Sequence, residues 1–300
     1  MEAMRRSLSA GHVKVGLIIP ADYSERLLRR AQAQVQLLVD GSDSQVATTA
    51  VNTAALLTTH LSIQRGKAFG EALQEAVARD PFGQATLPIE ARSRLLYNPD
   101  LESAHFFVPG LIAIILQLVL LFLTSFSIVK EREQGTLEQL FVTPVSRAGL
   151  LFGKLLPYAL MAFGELLIVL VLMVAVFGVP IAGSLGLLLL LSTLFMVTVL
   201  GLGLLISTAA KSQVQSMQLA FVIMLPSVLL SGFMFPRSEM PLPIYLVSCV
   251  LPVTYFVEIL RGVILRHADA VDLWPQIAAL AASCVVILSL AMARFRKQLD

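Results

Sequence analysis

Charge is scarce in this chain, and cysteine is scarcer. Asp, Glu, Lys and Arg together make up 14% of the 300 residues, against about a quarter in a soluble domain. The two cysteines, Cys249 and Cys284, stand alone in apolar segments with no C-x-x-C spacing, so neither a disulfide framework nor a cysteine metal site is supported. His12, His60, His105 and His267 lack any H-x-x-x-H spacing, and no G-x-x-x-x-G-K-[ST] run is present to cradle a phosphate. If ATP drives this protein, another chain hydrolyses it. The net charge of +2 is small and the basic residues are dispersed, which sets nucleic acid aside as a partner. An intramembrane enzyme would need a nucleophile and base, or clustered metal ligands, on facing helices, and no such set is visible. An ion-coupled secondary transporter would show internal repeats, and none is evident. What the chain has in abundance is apolar surface: 57% hydrophobic residues and a mean hydropathy of +0.81 mark an integral membrane protein.

The composition changes abruptly near His105. Residues 1–105 hold 11 of the 22 Lys and Arg residues, and their apolar runs are never longer than a strand. This part reads as a small soluble α/β domain. Val13 to Ile19 predicts a strand ended by Pro20, Asp22 to Ala33 a helix, and Val35 to Val39 a second strand stopped by the turn Asp40-Gly41-Ser42-Asp43. A β-α-β start is expected. Ser44 to Asp80 should be helical with at most two breaks, and Leu87 to Tyr97 a final strand before Asn98-Pro99.

Residues 106–300 predict a polytopic α-helical membrane domain with five spans at about 106–129, 155–178, 184–208, 216–235 and 273–293. The first, Phe106–Val129, has 24 residues without a charged side chain; at 1.5 Å per residue that reaches roughly 36 Å, enough for a hydrocarbon core of about 30 Å. Residues 242–265 differ, because they contain Pro243, Pro252, Glu258 and Arg261. Each charge at a helix centre costs about 2.5–3.5 kcal/mol on insertion scales. The expectation is two short helices dipping into or lying on the outer interface and broken at Pro252. Glu258 and Arg261, three apart, would pair on one helix face as a structural ion pair or an external gate.

Basic residues in short loops set the expected orientation. Lys130, Arg132, Arg147, Lys154, Lys211, Arg294, Arg296 and Lys297 fall on one side against Arg237, Arg261 and Arg266 on the other, which puts the first group and the C-terminus inside and residues 1–105 outside. Met1–Gly11 offers no apolar segment to carry that domain across, so a further span before Met1 is expected.

The run Lys130-Glu131-Arg132-Glu133-Gln134-Gly135-Thr136-Leu137-Glu138-Gln139-Leu140 directly follows the first span. Leu137, Leu140 and Phe141 form an apolar stripe, while Glu131, Glu133 and Glu138 leave acidic side chains for a partner's cleft. Gly135 permits a bend or close backbone approach, and Pro144 ends the predicted helix 131–144. The plainer reading of this helix is a solvated anchor. Within the spans Glu165 is an intramembrane carboxyl, a functional candidate that could equally be protonated or paired across a helix interface. Gly201-Leu202-Gly203 with Ser207, and Ser231-Gly232, read as surfaces for close helix packing. Met196, Met217, Met224, Met234 and Met240 read as core filling ahead of a greasy substrate path.

Several stretches together resemble the bacterial ABC type-2 permeases, in the multidrug-exporter-like subgroup with a large extracytoplasmic domain. They are Asp40-Gly41-Ser42-Asp43, Tyr97-Asn98-Pro99, Val108-Pro109-Gly110, Glu131 to Leu140 with Thr143-Pro144, Gly153-Lys154-Leu155-Leu156-Pro157, Leu225-Pro226-Ser227 with Leu230-Ser231-Gly232, Met240-Pro241, and Leu251-Pro252-Val253-Thr254-Tyr255-Phe256 with Leu260-Arg261-Gly262. The resemblance implies a non-enzymatic six-span half-transporter in the bacterial inner membrane, of which five spans are present here. It would work with a second permease copy or homologue and with two cytoplasmic ABC ATPase subunits that bind ATP and Mg. Glu131, Glu133, Gly135, Thr136, Leu137, Glu138, Leu140, Thr143 and Pro144 would form the ATPase-coupling segment. The cargo would be a hydrophobic or amphipathic compound, drug-like or lipid-like, exported from the cytoplasm or inner leaflet. The alternative is a membrane assembly or anchor protein whose external domain recruits a periplasmic adaptor.

Overall fold

The computed structural model describes residues 2–29, 31–42, 44–70, 78–79, 85–86, 89–100, 102–135, 147–237 and 240–296. They divide into two compact units, Met1–Phe106 and Phe107–Asp300.

The first unit is built on a three-stranded sheet of order β1 (Val15–Ile18), β2 (Ala33–Asp40), β5 (Ile89–Leu96), with a separate two-stranded pair of β3 (Ala78–Arg79) and β4 (Ala85–Thr86). Three helices accompany them: α1 (Glu2–Ser9), α2 (Tyr23–Leu28) and α3 (Ser44–Gly70). The expected β-α-β start is corrected in one respect. β1 and β2 run antiparallel, with Val15 opposite Val39, because the six-residue α2 fills a corner rather than a full crossover. The parallel partner of β2 is β5, with Ala33 opposite Ile89, and the 27-residue α3 begins the connection between them. Ala47, Ala50, Val51 and Ala54 of α3 pack on Leu37, Val39 and Leu95. Beside this core an apolar pocket of about 400 Å³ is lined by residues that include Leu17, Ile19, Tyr23, Val35, Leu57 and Leu61.

Two stretches singled out in the sequence meet at one end of this sheet. Asp40 is fully buried; its Oδ1 accepts from the Ser42 amide (3.0 Å) and hydroxyl (2.5 Å), and its Oδ2 faces Lys14 Nζ at 3.1 Å. The Gly41 amide donates to the Leu96 carbonyl (2.8 Å), and a Cβ on Gly41 would lie 2.6 Å from that oxygen. Only glycine fits there. Asn98 closes the other strand end, exchanging two hydrogen bonds of 3.0 Å with the Glu102 backbone.

The second unit is helical: α4 (Ser103–Glu133, entering from the first unit), α5 (Arg147–Ala175), α6 (Leu185–Ala209), α7 (Gln213–Leu230), α8 (Leu242–Val250), α9 (Pro252–Arg266) and α10 (Trp274–Arg296). Among the described residues five helices, α4, α5, α6, α7 and α10, are long and apolar enough to cross a membrane, and α8 and α9 form a pair bent by 86°. The break falls at Leu251-Pro252, where proline lacks the amide a continuous helix would need.

α6 lies at the centre of this unit. On one side Gly201 meets α10, where a Cβ would sit 2.8 Å from Leu288 Cδ2; on the other Gly203 meets α4, 2.8 Å from Thr124 Cβ. Small residues thus permit close approach on two faces. Phe195 stacks on Phe256 of α9 with ring centroids 4.1 Å apart. The hydroxyls of Ser192, Thr198, Ser207 and Thr208 donate back to carbonyls three or four residues earlier, which keeps them satisfied in apolar surroundings. Met196 and Met224 are buried while Met217 and Met234 are exposed, so these methionines do not share one environment.

Candidate functional site

The charged run after the first apolar stretch begins as the last turn of α4, which continues through Glu133. Gly135 then takes a left-handed conformation (φ 68°), its amide donating to the Arg132 carbonyl at 3.1 Å, and among the described residues no atom outside its chain neighbours lies within 4 Å of where a Cβ would be. It is therefore a helix terminator, required for its backbone angle rather than for a close neighbour. Thr136, Leu137, Glu138, Leu140, Thr143 and Pro144 lie outside the described residues.

The two described acidic residues of this run, Glu131 and Glu133, belong to α4, and Glu133 is already engaged. Its Oε1 accepts from the Gln213 amide at 2.9 Å and its Oε2 from the Gln213 side-chain amide, at the first residue of α7. Glu133 is exposed at the same time, so the carboxylate that holds Gln213 also faces solvent. The preceding residue, Arg132, donates through Nη1 to the carbonyl of Ala210, the residue that closes α6, at 3.0 Å. The turn between them is fixed from within: Ser212 Oγ accepts from the Gln215 amide at 3.2 Å, and Gln215 Oε1 from the Lys211 amide at 2.7 Å.

At the α8–α9 bend the structure pairs Glu258 differently from the expected i, i+3 match. Glu258 Oε1 receives Arg237 Nη1 at 2.6 Å, and Arg261 instead donates to the carbonyls of Gly232 (2.8 Å) and Phe233 (3.2 Å). The reason is local. Gly232 ends α7 with φ 84°, leaving carbonyls that need donors, and Arg261 supplies them. The Ser231-Gly232 pair is accordingly a helix stop as well as a buried site of close approach, where a Cβ on Gly232 would lie 3.2 Å from Arg237 Cγ. Arg237 also lies 4.8 Å over the Tyr245 ring and donates to Cys249 Sγ at 3.4 Å. Burial is the largest single influence and opposes its charge, but the charge and hydrogen bond of Glu258 together with Tyr245 and Cys249 outweigh it, and the guanidinium pKa is raised above its ordinary value.

Glu165 is half-buried within α5, and its Oε2 finds no hydrogen-bond donor among the described residues. A second intramembrane polar residue escaped the sequence reading: Gln117, buried midway along α4, donates to Ser227 Oγ of α7 at 2.8 Å. A lone amide inside a 24-residue apolar run was the available signal. Among the described residues no group of three or more His, Cys, Asp or Glu is arranged to hold a metal.

Comparison with known proteins bears on this arrangement over almost the whole chain. A family model described as ABC-2 family transporter protein matches residues 1–293. The chain is 32% identical over 295 residues to the "Probable multidrug ABC transporter permease YbhS" of Escherichia coli (strain K12), covering 98% of this chain and 75% of that one. It is 32% identical over 279 residues to the "Probable multidrug ABC transporter permease YbhR" of the same organism, covering 93% and 72%. To the "Inner membrane transport permease YhhJ", also of Escherichia coli (strain K12), it is 30% identical over 299 residues, covering 99% and 76%. The chain thus spans about three quarters of the length of these relatives. With five helices suited to crossing a membrane among the described residues and a family match over residues 1–293, the chain belongs to the ABC-2 transporter family and is a multi-pass membrane permease.

Proposed function

We propose that this chain is the membrane half of an ATP-driven exporter in the bacterial inner membrane, moving a hydrophobic or amphipathic compound out of the cytoplasm or inner leaflet. One observation carries the reading. A spanning helix, α4, runs without interruption into a charged turn that is bonded to the turn between α6 and α7, in a chain whose sequence holds no phosphate-cradling loop of its own. Force applied at residues 131–144 would enter the bundle through α4 and through the α6–α7 turn. The names of the relatives support a drug-like cargo.

In this reading two cytoplasmic ABC ATPase subunits bind ATP and Mg, and a second permease copy completes the pathway. Residues 1–105 face outward and the C-terminus faces the cytoplasm. Glu138 remains the first candidate for direct contact with the ATPase, with Thr136, Leu137, Leu140, Thr143 and Pro144 shaping the segment around it. The Arg237–Glu258 pair would hold the α8–α9 bend closed on the outer side.

The test is co-purification of the tagged, membrane-extracted chain with its ATPase, followed by export measurements with the partner's phosphate-loop lysine replaced. Loss of export with the assembly intact supports the proposal. Export that continues without hydrolysis overturns it. A second reading, a membrane anchor that recruits a periplasmic adaptor, draws on the apolar pocket of the first unit, with Leu17 and Ile19 more than half exposed beside it. That reading predicts adaptor capture by the first unit and no ATP-dependent export.

A further inference from the structure

Arg132 and Glu133 are consecutive residues of opposite charge, and each meets the end of a different helix. The C-terminus of a helix carries partial negative charge on its unused carbonyls, and the N-terminus carries partial positive charge on its unused amides. Arg132 sits on the Ala210 carbonyl at the end of α6, and Glu133 on the Gln213 amide at the start of α7. Each charge therefore faces the dipole end that attracts it. Exchanging the two side chains would put both against the wrong end.

The contacts also join parts of the chain far apart in sequence, 78 residues in one case and 80 in the other. The turn they seize is short and internally capped by Ser212 and Gln215, so it has little freedom to follow α4 by deforming. Gly135, immediately beyond, has a left-handed backbone angle. A joint at Gly135 and a clamp at residues 132–133 divide the segment into two mechanical parts. The residues before the glycine are held to α6 and α7, and the chain leaves them through the backbone of this turn.

We propose that Arg132 and Glu133 clamp the α6–α7 turn by its two helix ends, with Gln213 as the positioning residue, so that the last turn of α4 and the start of α7 travel as one body through the transport cycle. This rests on the coupling reading above and goes beyond it by assigning Glu133 to an internal clamp and adding Arg132, Ala210 and Gln213 to the force path.

The decisive experiment tethers the two elements. In the assembled complex, with Cys249 and Cys284 replaced by alanine, Gln134→Cys and Val214→Cys, exposed neighbours that leave Arg132, Glu133 and Gln213 in place, are joined by a short bifunctional methanethiosulfonate reagent, which reductant removes. Joining should proceed equally in the nucleotide-free and vanadate-trapped states. ATP hydrolysis by the tethered complex should stay within about twofold of its reduced form, since a rigid body loses nothing by being tethered. Joining in one state alone, or a fall of about tenfold that reductant reverses, would show that the elements separate and would overturn the clamp.

A second measurement needs no ATPase, so failure of the coupling reading leaves it intact. In the purified chain, Glu133→Lys should speed amide exchange in peptides covering residues 132–135 and 210–216 together, by about threefold or more. Exchange rising in only one of these peptides, or in neither, would overturn the proposal as well. Glu133→Gln, which keeps an acceptor but not the charge, should fall between Glu133→Lys and the parent chain.

Discussion

Asp40 in the first unit and Glu258 in the second are both carboxylates removed from water to different degrees, and they are satisfied in opposite ways. Asp40 is fully buried and collects donors from its own turn, the Ser42 amide and hydroxyl, before Lys14 adds a cation. Glu258 has a side chain 32% exposed and a single described partner, Arg237, 21 residues away. The first arrangement is redundant, and the second stands on one contact. A buried carboxylate with several donors tolerates the loss of one of them; a carboxylate with one donor does not.

That contrast sets the expected order of effects. Arg237→Ala should be the most damaging, because it strands Glu258 and removes the cover over Tyr245; we expect a loss of about 3 kcal/mol by thermal unfolding in detergent. Adding Glu258→Gln to that variant should return much of the loss, and a double variant no better than the single one would refute single-partner dependence. Asp40→Ala should cost about 2 kcal/mol, since the Ser42 donors lose their acceptor, read as faster amide exchange along β2. Gly41→Ala should cost about 1–2 kcal/mol, because its Cβ would press on the Leu96 and Asn98 carbonyl oxygens, which cannot swing aside. Lys14→Ala should be mildest, about 0.5 kcal/mol, as Lys14 is 41% exposed and Asp40 keeps both Ser42 donors. If Lys14→Ala matched Asp40→Ala, the redundancy argument would fail.

The parts of the fold that depend on local chemistry were legible beforehand. Long apolar runs placed α4, α6 and α10 within a few residues, and Pro252 announced the break between α8 and α9, since neither depends on a distant partner. The Asp40-Gly41-Ser42 turn was also visible, because its hydrogen bonds close within two residues. What was hidden involves choice among remote partners. The direction of β1 against β2 depends on how α2 packs, and the partner of Glu258 depends on where α7 stops. The bond between Glu133 and Gln213, 80 residues on, has no local signal in the sequence. In the candidate segment, the bonds that Arg132 and Glu133 make to the α6–α7 turn were not readable.

Gly201 and Gly203 are separated by about 200° around the axis of α6, and each presses a bare backbone surface against a different neighbour. Neither α4 nor α10 can come nearer, and neither leaves space for so much as a methyl group. Two positions with no side chain to vary therefore set the spacing of three helices: a larger residue at 203 would meet Thr124 Cβ, which moves only with α4, whereas one at 201 would first displace the flexible end of Leu288.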